Sequence, residues 1–314
     1  MTPPTCWICF DNEQTKDNLI VRECACRGEE GSGFVHIKCL VQNALTKVDR
    51  MDKMSLSSQV DAAYIPFSQC ITCKASFDSD SISFAALSDE CYNMYGSKLK
   101  SIWNQLAITK KVTLLNQSKD YAGAQKILET ELKRNEKLMA TCIQLQKNIP
   151  DAPLLIAFSV QRRFVYLMEL IAVHEKTESL TEMKSALDDA FKMADDDLFN
   201  TPSDRIPLLI LQARHSYICG DKDEALKHAE KAVCLSRSDE VGEGELQAAL
   251  LKCGNYNLHN GNLEVGAEQI SEAVQILTRI YGRSDTTVLS LTKYLNKIRA
   301  GEIKTLPDGL IFNN

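Results

Sequence analysis

Cysteine and histidine, set in close pairs, carry the chemistry open to the first quarter of this chain. Cys6 and Cys9 form a C-x2-C pair, Cys24 and Cys26 a C-x-C pair, His36 and Cys39 an H-x2-C pair, and Cys70 and Cys73 a second C-x2-C pair. Thiolate and imidazole are the ligands Zn²⁺ prefers, and a structural zinc is closed by four of them in a tetrahedron. Eight such ligands suffice for two Zn²⁺ ions. Short intervals within each pair suit this geometry, because adjacent corners of a tetrahedron must come from nearby backbone. The pattern predicts a small module held by two metal ions rather than by a large apolar core.

The elements that would position these ligands differ from the rest of the chain. Residues 1–78 are rich in cysteine, glycine and short polar turns, and residues 27–33 (RGEEGSG) form a loop before His36. From about Phe84, glycine and proline thin out and apolar residues recur at helical spacing almost to the end. The expected organisation is a metal-binding finger over 1–78, a linker over 79–97, paired helices over 98–300 and a tail over 301–314. Expected helix pairs are 98–116 with 121–138, 153–175 with 180–195, 205–219 with 222–237, and 244–260 with 263–281, closed by 286–299. Pro150 and Pro153 bracket one break, Thr201-Pro202-Ser203-Asp204 reads as a helix start, and Gly282 follows a helix end.

The helical region repeats itself. CGDKDEALKHAEKAV from Cys219 aligns with NGNLEVGAEQISEAV from Asn260, matching Gly220 with Gly261, Ala225 with Gly266, Ala232 with Ala273 and Val233 with Val274. The segments beginning at Lys119 and Thr177 are fainter copies, with Ala190 about one period before Ala232. Each unit reads as a helix, a polar turn and a second helix with small residues on its packing face. One such hairpin cannot bury its apolar stripe alone, so neighbours stack.

Composition narrows the function classes. The formal charge is −6, and seven ligand thiolates with two Zn²⁺ take it to about −9. That argues against nucleic acid or an anionic membrane as the main partner. Five cysteines (Cys91, Cys142, Cys219, Cys234, Cys253) fall outside the metal pattern, scattered as in a reducing compartment rather than a secreted disulfide framework. The first ligand lies five residues after Met1, so no signal peptide is expected ahead of it. The apolar stretch 153–173 is interrupted by Arg162, Arg163 and Glu169, so it reads as a buried helix and not a membrane span. A cytoplasmic or nuclear protein is expected.

The ligand text resembles the RING-CH variant of the RING finger. The resemblance covers residues 6–77 and rests on C-W-I-C, C-A-C-R-G, G-F-V-H-I-K-C-L and C-I-T-C-K-x-x-F. The tight second pair and the nine residues between Cys26 and His36 separate it from the PHD finger, which also places an aromatic where this chain has Ser68. The resemblance implies interleaved ligands: Cys6, Cys9, His36 and Cys39 on one zinc, and Cys24, Cys26, Cys70 and Cys73 on the other. It further implies a ubiquitin ligase that binds a ubiquitin-charged conjugating enzyme, with Ile8, Leu40, Pro66 and Phe67 forming a shallow apolar groove. Lys74 follows the last ligand, where such ligases place a cation across the enzyme–ubiquitin junction. Two departures bear on activity. Asn43 stands where many relatives have tryptophan, and Ile71 where ligases often have proline. The gap from Cys39 to Cys70 is also long, and residues 49–62 are expected as an inserted helix or loop. The helical part resembles tetratricopeptide repeats of the longer-period type, which implies a surface for a protein substrate or partner. The fold class expected is therefore a small zinc-stabilised α+β RING-CH finger followed by an all-α tetratricopeptide-like solenoid. The function class is a ligase, or alternatively a noncatalytic adaptor with a purely structural finger.

No other constellation makes a catalytic motif. His215 and Cys219 stand four apart on one expected helix, where packing is the simpler role. His174-Glu175 lacks the second histidine of a zinc protease, and RGEEGSG is not followed by the GK[ST] of a phosphate loop.

Overall fold

A computed structural model describes residues 4–16, 18–22, 33–51, 67, 69–70, 75–77, 81–96, 103–145, 152–195, 201–238 and 240–302. The chain divides into two compact units, 1–173 and 174–314.

The first unit opens with two short strands, β1 (Ile20–Val21) and β2 (Val35–His36), paired antiparallel with Ile20 opposite His36. Helix α1 (Ile37–Met51) follows without a break. The Ile37 amide donates to the Leu19 carbonyl at 3.0 Å. The Asn18 side chain accepts from the Lys38 amide at 3.0 Å. Together they satisfy two donors that a helix start leaves open.

Residues 79–97, expected as a linker, instead contain helix α2 (Ile82–Tyr95). Ser81 caps it, accepting from the Phe84 amide at 3.1 Å. Leu87, Cys91 and Tyr95 of α2 are buried with Ala44 of α1, Phe67, Phe77, and Leu106 and Ala107 of α3 (Trp103–Gln117). The finger and its first helices thus share one core, which a small metal-bound module with two-residue strands lacks by itself. Each fully buried Leu or Phe adds roughly 1.5–3 kcal/mol. The helical spacing that begins near Phe84 belongs to α2, whose Phe84, Leu87, Cys91, Met94 and Tyr95 meet this core.

Two polar contacts tie this core together. Lys110 is buried, and its ammonium donates to the Phe67 carbonyl at 2.9 Å and lies 4.4 Å over the Phe84 ring. Burial brings the Lys110 pKa down to about 8, against the opposing pull of nearby Cys91, whose own thiol burial pushes up to about 12. Asn104 donates to the carbonyls of Tyr95 and Gly96 at 3.3 and 3.0 Å, capping the end of α2. Its oxygen accepts from Arg162 and Tyr166 of α5 (Ala152–Lys176) at 3.3 and 3.1 Å.

Four turns of one kind join the helices. They link α3 to α4 (Tyr121–Leu145), α5 to α6 (Leu180–Ala194), α7 (Pro202–Ile218) to α8 (Lys222–Ser236), and α9 (Glu243–His259) to α10 (Leu263–Tyr281). Each places one residue at positive φ: Lys119 at 60°, Glu178 at 55°, Gly220 at 87° and Gly261 at 85°. In each, the next amide reaches back five residues, as Asp120 to Leu115, Ser179 to His174, Asp221 to Ser216 and Asn262 to Asn257. This is the Schellman closure of a helix end. Only two of the four turns use glycine, which is why the other two copies are fainter in the sequence.

In the second unit consecutive helices pack as neighbours from α6 through α11 (Thr286–Arg299), and α7 also touches α9. Contact between alternate helices is the mark of stacked hairpins. The 41-residue register of the alignment holds in space: α7 and α9 start at Pro202 and Glu243, and α8 and α10 at Lys222 and Leu263. Small residues line the packing faces. A Cβ on Gly266 would lie 2.7 Å from the Gly254 carbonyl oxygen, and one on Gly254 would lie 2.8 Å from an Ile270 side-chain carbon. The chain is thus a small finger followed by helices in stacked pairs. Among the described residues no helix is long and apolar enough to cross a membrane.

Candidate metal centre

The first ligand pair sits on a tight knuckle. The Phe10 amide donates to the Cys6 carbonyl at 2.9 Å, and the Cys6 amide to the Asp11 carbonyl at 2.9 Å. Phe10 takes φ 62°, a left-handed conformation that turns the chain back sharply. The Trp7 amide donates to the Phe34 carbonyl at 3.0 Å, fastening the knuckle beside β2. The second pair straddles the junction of β2 and α1: His36 ends the strand, and Cys39 lies in the first turn of the helix.

These elements bring four ligand atoms together. One atom each from Cys6, Cys9, His36 and Cys39 lies within 4.8 Å of all the others. A tetrahedral zinc with sulfur ligands needs corners about 3.8 Å apart, so this set is near the required size. The Cys9 sulfur stands 3.2 Å from His36 Nδ1. On the far side of the ring, His36 Nε2 lies 2.7 Å from the Glu13 carbonyl oxygen. A carbonyl only accepts, so Nε2 carries the proton and Nδ1 keeps the lone pair a metal needs. Metal-binding histidines are commonly oriented by such a second hydrogen bond.

The electrostatics also suit a cation. Burial acts against ionising Cys6, but the backbone amides of Cys9, His36 and Ile8 overcome it and bring its pKa down to about 6. Burial pushes the Cys39 thiol up to about 12, reinforced by the neighbouring Cys9 and Cys6. Ionised sulfurs this close together repel one another and favour a compensating positive charge. A divalent ion supplies that charge, so the donor set fits zinc in number, type and spacing.

The remaining expected site residues fall differently. Of the second set, Cys70 is half-buried against the finger core. Its amide donates to the Ala75 carbonyl at 2.8 Å, and Gln69 bridges to Ser76. Cys24, Cys26 and Cys73 lie outside the described residues, as do Pro66, Lys74 and most of the expected insertion over 49–62. Among the described residues there is one four-ligand cluster. Ile8 is half-buried between its two ligands, and Leu40 is half-buried and leans on the finger core. Phe67 is a correction to the expected apolar groove: it is 0% exposed at the centre of the core, so its side chain has no surface to offer a partner. The Glu13 carbonyl was not foreseeable, because a backbone oxygen leaves no trace in residue type. His215 and Cys219 do meet, with Sγ 3.7 Å from Nε2, but that nitrogen also lies 3.0 Å from the Leu180 carbonyl oxygen, so the ring links α7 to α6.

Comparison with known proteins agrees with this geometry. Residues 6–50 match the RING-variant domain, a span that holds all four gathered ligands. A search of curated proteins finds no match. Among solved structures, the crystal structure of BtubC (BKLC) from P. vanneervenii is similar over 56% of this chain and 67% of its own, at 16% identity and a TM-score of 0.44.

Proposed function

We propose that this protein is a ubiquitin ligase of the RING-CH type whose helical repeats hold the protein to be modified. The observation that carries this reading is the match to the RING-variant domain across a cluster of three cysteines and one histidine. On this reading Cys24, Cys26, Cys70 and Cys73 bind a second zinc, and both ions are structural. The finger forms no covalent intermediate. It holds a ubiquitin-charged conjugating enzyme so that the thioester faces a substrate lysine, and the rate gain comes from positioning. Ile8 and Leu40, with Pro66 and Lys74, contact that enzyme. The repeats are of the tetratricopeptide type, and the protein works in the cytoplasm or nucleus.

A noncatalytic adaptor is the second reading. Asn43 in place of tryptophan and the burial of Phe67 both reduce the apolar surface available to a conjugating enzyme. Purified protein incubated with a panel of conjugating enzymes separates the two. The ligase reading expects ubiquitin chains on the protein itself, lost in Ile8→Ala with zinc content unchanged. Background activity across the whole panel would favour the adaptor.

A further inference from the structure

The second unit carries a cleft that neither the finger nor the packing of the repeats requires. It has a volume of about 660 Å³ and is lined by Phe191 of α6, by Arg205, Leu209 and Gln212 of α7, and by residues of α8 and the turn after it. On the α8 side, His228, Lys231, Leu235 and Ser238 recur at helical spacing, so they form one stripe. That volume is in the range of ligand sites.

Three polar atoms beside it are unsatisfied. Arg205 Nε, His228 Nδ1 and Ser238 Oγ are buried and make no hydrogen bond, although Arg205 pairs through Nη2 with Asp195 at 2.7 Å. His228 is 8% exposed. Its Nε2 faces Glu224 at 3.4 Å; a carboxylate accepts, so Nε2 bears the proton and Nδ1 is an acceptor. Unpaired buried groups are uncommon in native proteins and call for a reason.

The repeat does not force this arrangement. At the matching positions 41 residues on, Leu250, Cys253 and Ile276 are buried, and Gln269 bonds to Asn257 at 3.0 Å and to the Cys253 sulfur at 3.4 Å. There the apolar positions are closed and Gln269 is satisfied, while the counterparts of Lys231 and Ser238, Glu272 and Arg279, pair with Arg237 and Glu243.

We propose that this cleft, formed by α6, α7, α8 and the turn after α8, binds an extended segment of a partner protein bearing a carboxylate beside a bulky apolar side chain. Three features select that occupant. The lining holds no carboxylate and two cations, Lys231 and Arg205, the second already paired through Nη2 with Asp195, in a chain whose formal charge is −6. Phe191, Leu209 and Leu235 are only half-buried and offer an apolar floor. The unpaired atoms include both donors and an acceptor; a free anion can use only the donors, whereas a peptide backbone brings both N–H and C=O. The proposal rests on the reading that the repeats hold a partner, and it gives that partner a chemistry.

The test uses the full-length protein without conjugating enzyme or ubiquitin, so it is independent of ligase activity. Capped, fluorescein-labelled octapeptides with a central Glu-Leu or Asp-Phe step and randomised flanks are measured by fluorescence polarisation. Gln-Leu and Lys-Leu libraries and inorganic phosphate serve as comparisons. Acidic–apolar peptides are expected to bind, with affinity falling about tenfold when Gln replaces Glu. Lys231→Glu, on an exposed side chain, is expected to cause a similar loss without shifting the melting temperature, and Ser238→Ala a smaller one. Binding that ignores both variants, selection of basic peptides, or equal competition by phosphate would overturn the proposal. Peptide binding without self-modification would leave the cleft standing and sink only the ligase reading.

Discussion

The finger and the repeats reach order by different physics. In the finger, β1 and β2 are two residues each, and backbone pairing alone cannot hold them. Its fixed points are the four ligands and the carbonyls and amides around them. In the second unit the fixed points are turns repeated with the same hydrogen bonds and small residues that let helices approach. A ligand-built module is decided by a few side chains, while a packing-built one spreads its stability over many. The contrast predicts that the first fails all at once and the second by increments.

Metal removal is the largest lever on that contrast. Stripping the ion with a strong chelator should remove on the order of 10 kcal/mol from the finger. Hydrogen exchange should then show residues 4–51 losing protection while 174–302 keep theirs. Protection lost evenly across both units would erase the distinction.

A second lever acts only on the repeats. Gly266→Ala places a Cβ against the Gly254 carbonyl, so α9 and α10 must separate. A loss of about 2–3 kcal/mol in chemical denaturation of the second unit is expected, with zinc content unchanged. An effect below about 0.5 kcal/mol would mean the helices do not pack this closely.

Lys110 probes the junction of finger and helices. The unfolded chain keeps this proton up to about 10.5, whereas the folded chain releases it from about 8. Between these values the unfolded state binds more protons, so stability of the first unit should rise with pH, by roughly 2 kcal/mol across the window. Lys110→Met should flatten that rise between pH 7.5 and 9.5. An unchanged slope would assign it to another group.

The smallest effects lie in the turns. Glu178→Gly relieves a non-glycine residue at φ 55° and should stabilise by about 0.5 kcal/mol, while Gly220→Ala should cost about 1 kcal/mol. Thermal melts of both variants check the paired signs.

The same contrast explains what could be read from the sequence. Cys6, Cys9, His36 and Cys39 were legible because metal coordination admits few residue types at few spacings. The helix pairs beginning with 98–116 were legible because apolar periodicity, Thr201-Pro202, Gly220 and Gly261 mark them. Helix α2 was legible only as the start of helical spacing near Phe84, and its packing against Phe67 and Leu106 left no local signal. The turns at Lys119 and Glu178 were only faintly legible, because a strained φ on a non-glycine residue has no signature. Phe67 could be read as core or as a contact for a conjugating enzyme, and the sequence favoured core. Its burial depends on α2 and α3, which no local pattern connects to it.

X-ray absorption at the zinc edge tests the metal centre most directly. The wild-type protein should show sulfur ligands with imidazole scattering, and His36→Cys should lose the imidazole signal while retaining zinc. Absence of zinc, or an imidazole signal that survives the substitution, would contradict the assignment of Cys6, Cys9, His36 and Cys39 to one ion.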